Sequence, residues 1–521
     1  MKPKNLLFIF SDEHNRDMAG CYGHPVVQTP NLDRLARQGV RFTNAYCNSP
    51  ICVPSRASMA TGQYVHRIGA WDNAQPYVGA HPSWGHRLEA AGHHVTTVGK
   101  LHYRQVGDPS GFSDQRLAMH VKDGEGDIYS LIRDDMAPRP QLAQRILEAG
   151  PGESEYSRFD RAVAAEASRW LRDEASGYEK PWVLFVGFVT PHFPLIVPKE
   201  FFERYPLDQV VFPVQYSLAE RHYHPALDEL RRVMAMDEEL PDDVVRRAVA
   251  AYYGLCSFMD YQVGLVLDAL RESGLEEDTR IIYTSDHGDQ VGAHGLFWKS
   301  TMYEGAVAVP FIMSGPDVPR DRVDDTPISL VDCFPTILEA VGVEPQPEDR
   351  DLPGRSLWPI ARGEVSPKRT IFSEYHAVAS EHAFFMVRVD NHKYVYYVGS
   401  RPQLFDLQAD PNELTDLAMD PRYADVLERC DRELRKICDP EEVDRRARAD
   451  QKRLVDAHGG RQAVLAKGFQ IPYTPAPAAF RGDENIGHID TVHGVAGESH
   501  CRLHPGKTQP STPRVPRENR Q

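Results

Sequence analysis

Short apolar runs alternate with amphipathic stretches along the first 365 residues of the chain. Runs of apolar and β-branched residues between polar flanks predict buried strands, which lie at residues 6–11, 40–46, 94–98, 182–189, 280–284 and 307–313. Patterns with the helical period separate them, at residues 30–39, 83–91, 242–274 and 330–341. In the third of these a break is expected near Gly254. The alternation predicts an α/β fold with a large, mainly parallel sheet sandwiched by helices.

The last third of the chain has a different pattern. A stretch rich in Pro, Asp and Gly at residues 345–367 predicts a boundary. Short runs beyond it predict antiparallel strands, at residues 384–389, 393–398 and 403–406. A helical pattern at residues 424–437 is expected to cover them, which gives a smaller antiparallel sheet plus helix.

The C-terminal end lacks regular patterning. From residue 474 the chain is rich in Pro, Gly and His. Such a tail is either an arm onto a neighbouring subunit, which favours a homo-oligomer, or a disordered end. We therefore predict three parts, which are a catalytic α/β domain at 1–365, a small α+β subdomain at 366–445 and a C-terminal extension at 446–521.

Composition narrows the classes of partner. The chain has 521 residues and a formal net charge of −16, which argues against nucleic acid. The apolar run after Asn5 is too short for a secretory signal, and no run approaches the roughly 20 apolar residues of a membrane span. The eight cysteines form no CxxC pair. A reduced, cytoplasmic protein without membrane contact is expected.

Polar residues follow several predicted strands. Asp12 follows the first strand, Lys100-Leu101-His102 follows the strand at 94–98, and His192 and Asp286-His287 follow two later ones. In open α/β sheets ligands bind beyond the carboxyl ends of the strands. Carboxylates with an imidazole suit a hard or borderline divalent cation. Together these positions predict a metal-dependent site.

The segment Cys52-Val53-Pro54-Ser55-Arg56, continued by small residues to Thr61-Gly62, carries the most specific signal. Pro54 favours a helix start, which places Cys52 at a helix N-terminus that favours anions, and Arg56 adds a planar cation for sulfate or phosphate oxygens. The spacing differs from the C-x5-R loop of cysteine phosphatases. The segment resembles the signature of formylglycine-dependent sulfatases, C-x-P-S-R followed by a helix that ends in T-G.

The resemblance extends over roughly residues 5–418, about four-fifths of the chain. It includes the stretch from Leu404 to Leu414, which is similar to a run near the end of many sulfatases and is expected to close the small sheet. It implies an alkaline-phosphatase-like fold. It also implies that a maturation enzyme oxidises Cys52 to formylglycine (3-oxoalanine), whose hydrate attacks the sulfur of a small-molecule sulfate ester and later expels sulfate.

The resemblance implies a role for each matching residue. The metal ligands would be Asp12, Asp286 and His287, with residue 52 completing the shell. Arg56 would hold the hydrate. Substrate and catalytic groups would be Lys100 and Lys299 as sulfate clamps, His102 as partner or base in the second half of the reaction, His192 as sulfate ligand and acid for the leaving oxygen, and Asn73 as a donor to sulfate.

Two departures from the family pattern affect the metal. Many sulfatases have paired aspartates where this chain has Asp12-Glu13, and an Asn where it has His287. Glu13 therefore stays outside the predicted ligand set. Choline sulfatases and phosphonate monoester hydrolases share the second feature. The metal remains open between Ca2+, Mn2+ and Zn2+, and the imidazole fits Mn2+ or Zn2+ better.

The substrate also remains open among several classes. Phosphonate monoester hydrolases replace the Lys-x-His pair with Tyr and Thr, so Lys100 and His102 favour a sulfate monoester, with an aryl or small alkyl leaving group. A phosphonate monoester or phosphodiester hydrolase is the alternative. A choline sulfatase would need an aromatic and acidic cage, to which Glu374-Tyr375 could contribute. A binding protein with unmodified Cys52, and a two-metal phosphomutase, are the remaining readings, and the Cys52 motif argues against the latter.

Overall fold

The computed structural model describes residues 2–365, 368–469 and 473–481. In this part of the chain the strands are β1 (Asn5–Asp12), β2 (Gly39–Phe42), β3 (Ala45–Tyr46), β4 (Val95–Lys100), β5 (Asp114–Met119), β6 (Gly150–Pro151), β7 (Val183–Pro191), β8 (Ile196–Val197), β9 (Thr279–Ser285), β10 (Phe311–Ser314), β11 (Arg322–Asp324), β12 (Ile328–Ser329), β13 (Ile371–Tyr375), β14 (Phe384–Val389), β15 (His392–Tyr397) and β16 (Gln403–Asp406).

The same residues also form α-helices of very different lengths. In chain order the α-helices are α1 (Pro30–Arg37), α2 (Cys52–Thr61), α3 (Val65–Ile68), α4 (Trp84–Ala90), α5 (Pro140–Leu147), α6 (Glu155–Asp173), α7 (Lys199–Phe202), α8 (Pro225–Val233), α9 (Asp242–Glu272), α10 (Glu304–Val307), α11 (Cys333–Val341), α12 (Trp358–Ala361), α13 (Ala424–Ile437), α14 (Pro440–Ala457) and α15 (Gly460–Lys467). Among the described residues, none of these helices combines the length and the apolar character that a membrane crossing needs.

The large sheet has the strand order β11-β2-β10-β9-β1-β7-β4-β5. Strand β1 pairs in parallel with β7 and β9, and β10 runs antiparallel to both β9 and β2. Alternate side chains of β1 enter two different cores, with Leu7 and Ile9 on one face and Phe8 and Phe10 on the other. Burial on both faces explains the continuous apolar run, and the prediction of a mainly parallel sheet between helices is confirmed.

The carboxyl ends of four adjacent strands bring the polar positions to one edge of the sheet. Asp12 is the last residue of β1, Lys100 is the last of β4, and Asp286 directly follows β9. His192 directly follows β7. This edge is where an open α/β sheet binds its ligands.

A second sheet, of order β13-β14-β15-β16, is antiparallel throughout. Helix α13 packs on it through Cys430 and Leu434, as the pattern at 424–437 predicts. In the stretch from Leu404 to Leu414, the Glu413 side chain accepts a hydrogen bond from the backbone N–H of Glu304 (2.6 Å) and pairs with Lys393 (2.8 Å). The stretch therefore ties the small sheet to helix α10 at the edge of the large one.

Three local expectations differ from the structure. The run at 40–46 is split, because β3 leaves the large sheet and pairs with β12. The strand expected at 307–313 begins only at Phe311, since Pro310 has no N–H for the ladder. Helix α9 passes unbroken through Gly254, where a Cβ would lie 3.1 Å from Val197, so close packing against β8 accounts for this glycine.

The C-terminal part of the chain continues with α14, α15 and the segment 473–481. Helix α14 runs across residue 445, where composition places the start of the extension. The described residues all belong to one compact unit, which spans Met1–Asp483. The three-part division stays a prediction, and residues 482–521 of the expected arm lie outside the described residues.

Candidate active site

Helix α2 presents Cys52 as its first residue at the sheet edge. Its side chain is buried, with Sγ 3.2 Å from Nε2 of His287 and 3.6 Å from Oδ1 of Asp12. The Asn73 carboxamide oxygen accepts the N–H of Val53 (3.1 Å), so this side chain caps the helix beside Cys52. The carboxamide oxygen of Asn73 therefore points toward the helix N-terminus. The sequence did not predict this contact.

The donor atoms of Asp12, Cys52, Asp286 and His287 lie within 4.8 Å of one another, and all four residues are buried. His287 Nδ1 donates to the carbonyl of Gly288 (3.0 Å), so Nε2 is the acceptor that faces Cys52 and the rest of the cluster. Burial, with the charge of Asp12 next, raises the pKa of Asp286. Two buried carboxylates and an imidazole nitrogen therefore fit a divalent cation, in the ligand set that the family pattern implies.

Each of the three nitrogens of Arg56 donates a hydrogen bond within this cluster. Its Nε donates to Asp286 (2.8 Å), Nη2 to Asp12 (2.8 Å) and Nη1 to the carbonyl of Lys100 (2.9 Å). Lys100 Nζ lies 2.7 Å from the same Asp12 oxygen, Oδ2, as Arg56 Nη2. The guanidinium thus contacts two candidate metal ligands, which the sequence did not predict, and its predicted role in holding the hydrate stays a prediction.

Lys299 joins His192 and Glu13 on the opposite side of Asp12. Its Nζ donates to Glu13 Oε2 (2.6 Å) and to His192 Nε2 (2.8 Å). His192 Nδ1 donates to the carbonyl of Phe193 (2.6 Å), and Nε2 lies 4.0 Å from Asp12 Oδ1. Burial, followed by the charge of Lys299, holds the pKa of His192 well below its usual range. His192 is therefore a neutral acceptor. Glu13, which stays outside the predicted ligand set, accepts the hydrogen bond from Lys299, and burial raises the pKa of its carboxyl well above the usual value while the charge of Lys299 opposes this shift.

His102 follows β4 with a left-handed backbone conformation (φ 61°). Its Nε2 forms a hydrogen bond with Oγ1 of Thr474 (2.7 Å). Its Nδ1 is buried and has no hydrogen-bond partner within residues 2–365, 368–469 and 473–481. Burial, with the charge of Lys100 next, keeps the pKa of His102 well below its usual range. Thr474 lies in the tail that lacked any pattern, so no sequence signal identified this contact.

The structure thus gathers the predicted positions at one edge of the sheet. The contacts above connect ten of them or their immediate neighbours, namely Asp12, Cys52, Arg56, Asn73, Lys100, His102, His192, Asp286, His287 and Lys299. Their roles in catalysis remain predictions.

Comparison with known proteins agrees with this arrangement. A model of the sulfatase family matches residues 4–343, and a model of the C-terminal region of N-sulphoglucosamine sulphohydrolase matches residues 292–439. Arylsulfatase K of Bos taurus is 31% identical over 460 residues, which cover 83% of this chain and 81% of that protein. Choline-sulfatase of Rhizobium meliloti (strain 1021) is 30% identical over 433 residues, which cover 80% and 83%.

Solved structures support the fold. The phosphonate monoester hydrolase of Agrobacterium radiobacter superposes with a TM-score of 0.67 at 24% identity, covering 83% of this chain and 95% of that one. A 2-O GAG sulfatase superposes with a TM-score of 0.61 at 23% identity, covering 84% and 92%. The first family model spans Cys52 and the strand ends that surround it. The chain belongs to the sulfatase family and is a sulfuric ester hydrolase.

Proposed function

We propose that the protein hydrolyses sulfate monoesters through a formylglycine formed from Cys52, beside one divalent metal held by Asp12, Asp286 and His287. The observation that carries this proposal is the position of Cys52 Sγ. This atom and the oxygen and nitrogen donors of the other three residues all lie within 4.8 Å of one another. A nucleophile formed at residue 52 would therefore lie next to the cation.

The metal and the hydrated formylglycine together supply a hydroxyl of lowered pKa and an electrophilic centre that offsets charge on the sulfuryl oxygens. The chain's own charges prepare the site for an anion. Three buried acidic side chains face three buried basic ones, namely Asp12, Glu13 and Asp286 against Arg56, Lys100 and Lys299. A divalent cation held here would make the site positive, which would attract a sulfate monoester even though the whole chain is acidic.

Lys299 and His192 are placed to bind the sulfuryl oxygens and to supply a proton to the leaving oxygen. Their nitrogens are 2.8 Å apart, and His192 Nε2 carries no proton of its own while Nδ1 donates to Phe193. The Lys299 ammonium therefore donates a hydrogen bond to His192, and the role of His192 as the acid for the leaving oxygen is part of this proposal. Glu13, 2.6 Å from Lys299, orients the ammonium.

His102 is placed to take a proton in the second half of the reaction. Its ring is neutral, and its buried Nδ1 has no hydrogen-bond partner among the described residues. A nitrogen in this state can accept a proton from a hydroxyl group. Lys100 lies next to the candidate metal ligands, because its Nζ pairs with Asp12 and its carbonyl accepts a hydrogen bond from Arg56. We assign Lys100 a sulfate-binding role from this position.

A sulfate monoester with an aryl or small alkyl leaving group is the preferred substrate class. The candidate cage for choline is already engaged, since Glu374 bonds His66 and His376 (3.0 Å each) and the Tyr375 hydroxyl donates to the carbonyl of Val378. A phosphonate monoester is the second candidate, because a phosphonate monoester hydrolase shares the fold. Lys100 and His102 favour the sulfate.

Two measurements test the proposal. Mass spectrometry of the peptide that carries residue 52, after expression with and without a formylglycine-generating enzyme, should show the aldehyde mass only in the first sample. Parallel rates on an aryl sulfate, choline sulfate and a phosphonate monoester should be highest on the aryl sulfate. An unmodified Cys52 in an active preparation, or a preference for the phosphonate, contradicts the proposal.

The same proposal extends to metal, compartment and assembly. The His287 ligand favours Mn2+ or Zn2+ over Ca2+. All cysteines of the described residues are free thiols, which agrees with the cytoplasm as compartment. A homo-oligomer stays the expected assembly. Metal analysis of the purified protein, fractionation of cells and sedimentation velocity test these three points in turn.

A further inference from the structure

The segment 473–481 lies against the α/β core of its own chain. Phe480 is buried and packs edge-on against Phe159 of α6, with ring centroids 5.3 Å apart. Its carbonyl accepts from Arg158 Nε (2.9 Å). At the other end, the Tyr473 ring packs against Tyr156, with centroids 5.4 Å apart. Both ends are anchored on α6, which also packs against strand β7 of the site.

From this anchored segment, Thr474 contacts one histidine of the site directly and is linked to a second through Tyr156. Its hydroxyl bonds His102 Nε2 directly (2.7 Å), and its carbonyl accepts from the Tyr156 hydroxyl (2.5 Å). The Tyr156 ring stands edge-on against His192, with centroids 5.8 Å apart. One residue of the tail therefore contacts one catalytic candidate and supports the side chain that packs on the other.

A cavity of about 280 Å3 opens beside this segment. Its lining includes Asn73, Lys122, Tyr129, His458, Tyr473 and Thr474. Asn73 caps α2 at Val53, the residue after Cys52, and Thr474 holds His102. The cavity is thus bounded by direct neighbours of both the nucleophile position and the candidate base.

We propose that the segment 473–481 completes the active site in cis, with Thr474 as a positioning residue for His102 and with Tyr473 and Thr474 as a wall of the leaving-group subsite. This inference rests on the proposed function. Imidazole has two nitrogens, and the Thr474 hydroxyl engages Nε2, so the ring is fixed with Nδ1 left for the reactants. The volume of the cavity is near the lower end of the range for ligand pockets, which suits a leaving group the size of a single-ring alcohol or phenol.

Replacement of Thr474 tests the positioning role. Thr474→Val keeps the shape and removes the hydrogen bond, and Thr474→Ser keeps the hydroxyl. On an aryl sulfate, Thr474→Val should lower kcat about tenfold, the effect of one lost hydrogen bond, with KM changed less than about twofold. Thr474→Ser should restore most of kcat. A Val variant with wild-type kcat, or a Ser variant no faster than the Val variant, overturns the role of Thr474.

Two shortened chains test the subsite. A chain that ends at Arg481 keeps the segment, and a chain that ends at Phe469 removes it; thermal unfolding of each establishes that the core is folded. The first should keep wild-type rates, and the second should lose turnover of a single-ring aryl sulfate. Equal activity of the two chains overturns the proposal.

Mixing two inactive chains distinguishes cis from trans. A Cys52→Ala chain has an intact segment, and the chain that ends at Phe469 has an intact Cys52. Because the segment acts within its own chain, the co-expressed pair should stay inactive, and recovery of activity in mixed oligomers overturns the cis assignment. Failure of the proposed function is separate from these outcomes, since the full-length wild type would then hydrolyse no sulfate ester at all.

Discussion

Arg56 and Asp12 form an ion pair of 2.8 Å in which the side chains are 1% and 0% exposed. The same guanidinium holds Asp286 at 2.8 Å, so one residue of the Cys52 motif fixes two candidate metal ligands from different strands. Removal of one partner from a buried pair leaves an uncompensated charge, which costs about 3–5 kcal/mol. The motif therefore links the nucleophile position to the metal shell within a single helical turn.

Arg56→Lys should weaken metal binding about 10- to 100-fold, the range observed when groups that orient metal ligands are replaced. A lysine has one nitrogen in place of a planar fork and cannot bridge Asp12 and Asp286 while also reaching the Lys100 carbonyl. Competition with a chelator measures the dissociation constant of the metal for each protein.

Arg34→Lys serves as the matched control, because Arg34 is 37% exposed and its ion pair with Asp268 is 3.3 Å long. It should leave metal affinity unchanged. The peptide mass at residue 52 must be compared as well, since Arg56 belongs to the motif that the maturation enzyme is expected to recognise. An Arg56→Lys protein that holds metal like the wild type would show that the bridge is unimportant.

Cys52→Ala should abolish turnover and leave the fold intact. The side chain is small, and its contacts are with Asp12 and His287 of the site. Cys47→Ala is the comparison, because Cys47 is equally buried five residues earlier, and its Sγ lies 4.0 Å from the backbone carbonyl of Ala306 rather than against a candidate metal ligand. Rates on an aryl sulfate and thermal unfolding of both variants check the expectation, and a Cys52→Ala protein with wild-type rates refutes the nucleophile assignment.

The sequence predicted the strand ends and the Cys52 motif because both are local patterns. A buried strand followed by a polar residue, and a helix start with a fixed spacing, are recognisable without knowledge of the tertiary structure. The pairing of Lys299 with Glu13 connects residues 286 positions apart, and that of Thr474 with His102 spans 372 positions. Such contacts depend on how the layers pack, and no periodicity in the chain encodes them.

The direction of the Arg56 side chain shows a different limit. The sequence placed Arg56 near an anion site, suited to sulfate or phosphate oxygens, and the family resemblance assigned it to the hydrate at residue 52. In the structure its three nitrogens are used by Asp12, Asp286 and the Lys100 carbonyl. A cation beside a predicted metal site can pair with the carboxylates that bind the metal or with an anionic substrate. Only the geometry of the folded chain distinguishes these two cases.

His102→Ala should slow the release of sulfate more than the first half of the reaction. The neutral ring with a free Nδ1 serves as a base, and the first half draws its proton from the Lys299 and His192 pair instead. Single-turnover measurements should therefore show a nearly unchanged burst of the released alcohol and a steady-state rate reduced about 100-fold or more, as is typical for loss of a general base. His192→Ala is the counterpart, for which the burst itself should slow. A His102→Ala protein with a slowed burst and a normal second phase removes His102 from this role.

Asp72→Asn should stabilise the protein more at high pH than at low pH. Burial raises the pKa of Asp72 to about 7, against 3.8 for an unperturbed aspartate, while its oxygens accept from Ala74 N and Gln451 Nε2. A folded-state pKa above the unfolded value means that the proton is held by the folded chain. This group's contribution to stability is full below about pH 4 and is lost as the pH rises through 7.

Asparagine cannot ionise, so the free energy of unfolding of Asp72→Asn relative to the wild type should rise by about 3 kcal/mol between pH 5 and pH 8, since one pKa unit corresponds to about 1.4 kcal/mol. Urea unfolding of both proteins at the two pH values measures this difference. Glu200→Gln, which removes an exposed carboxylate from α7, should show a difference near zero. A constant difference between Asp72→Asn and the wild type at both pH values would mean that Asp72 ionises as freely in the folded chain as in the unfolded one, which contradicts the raised pKa.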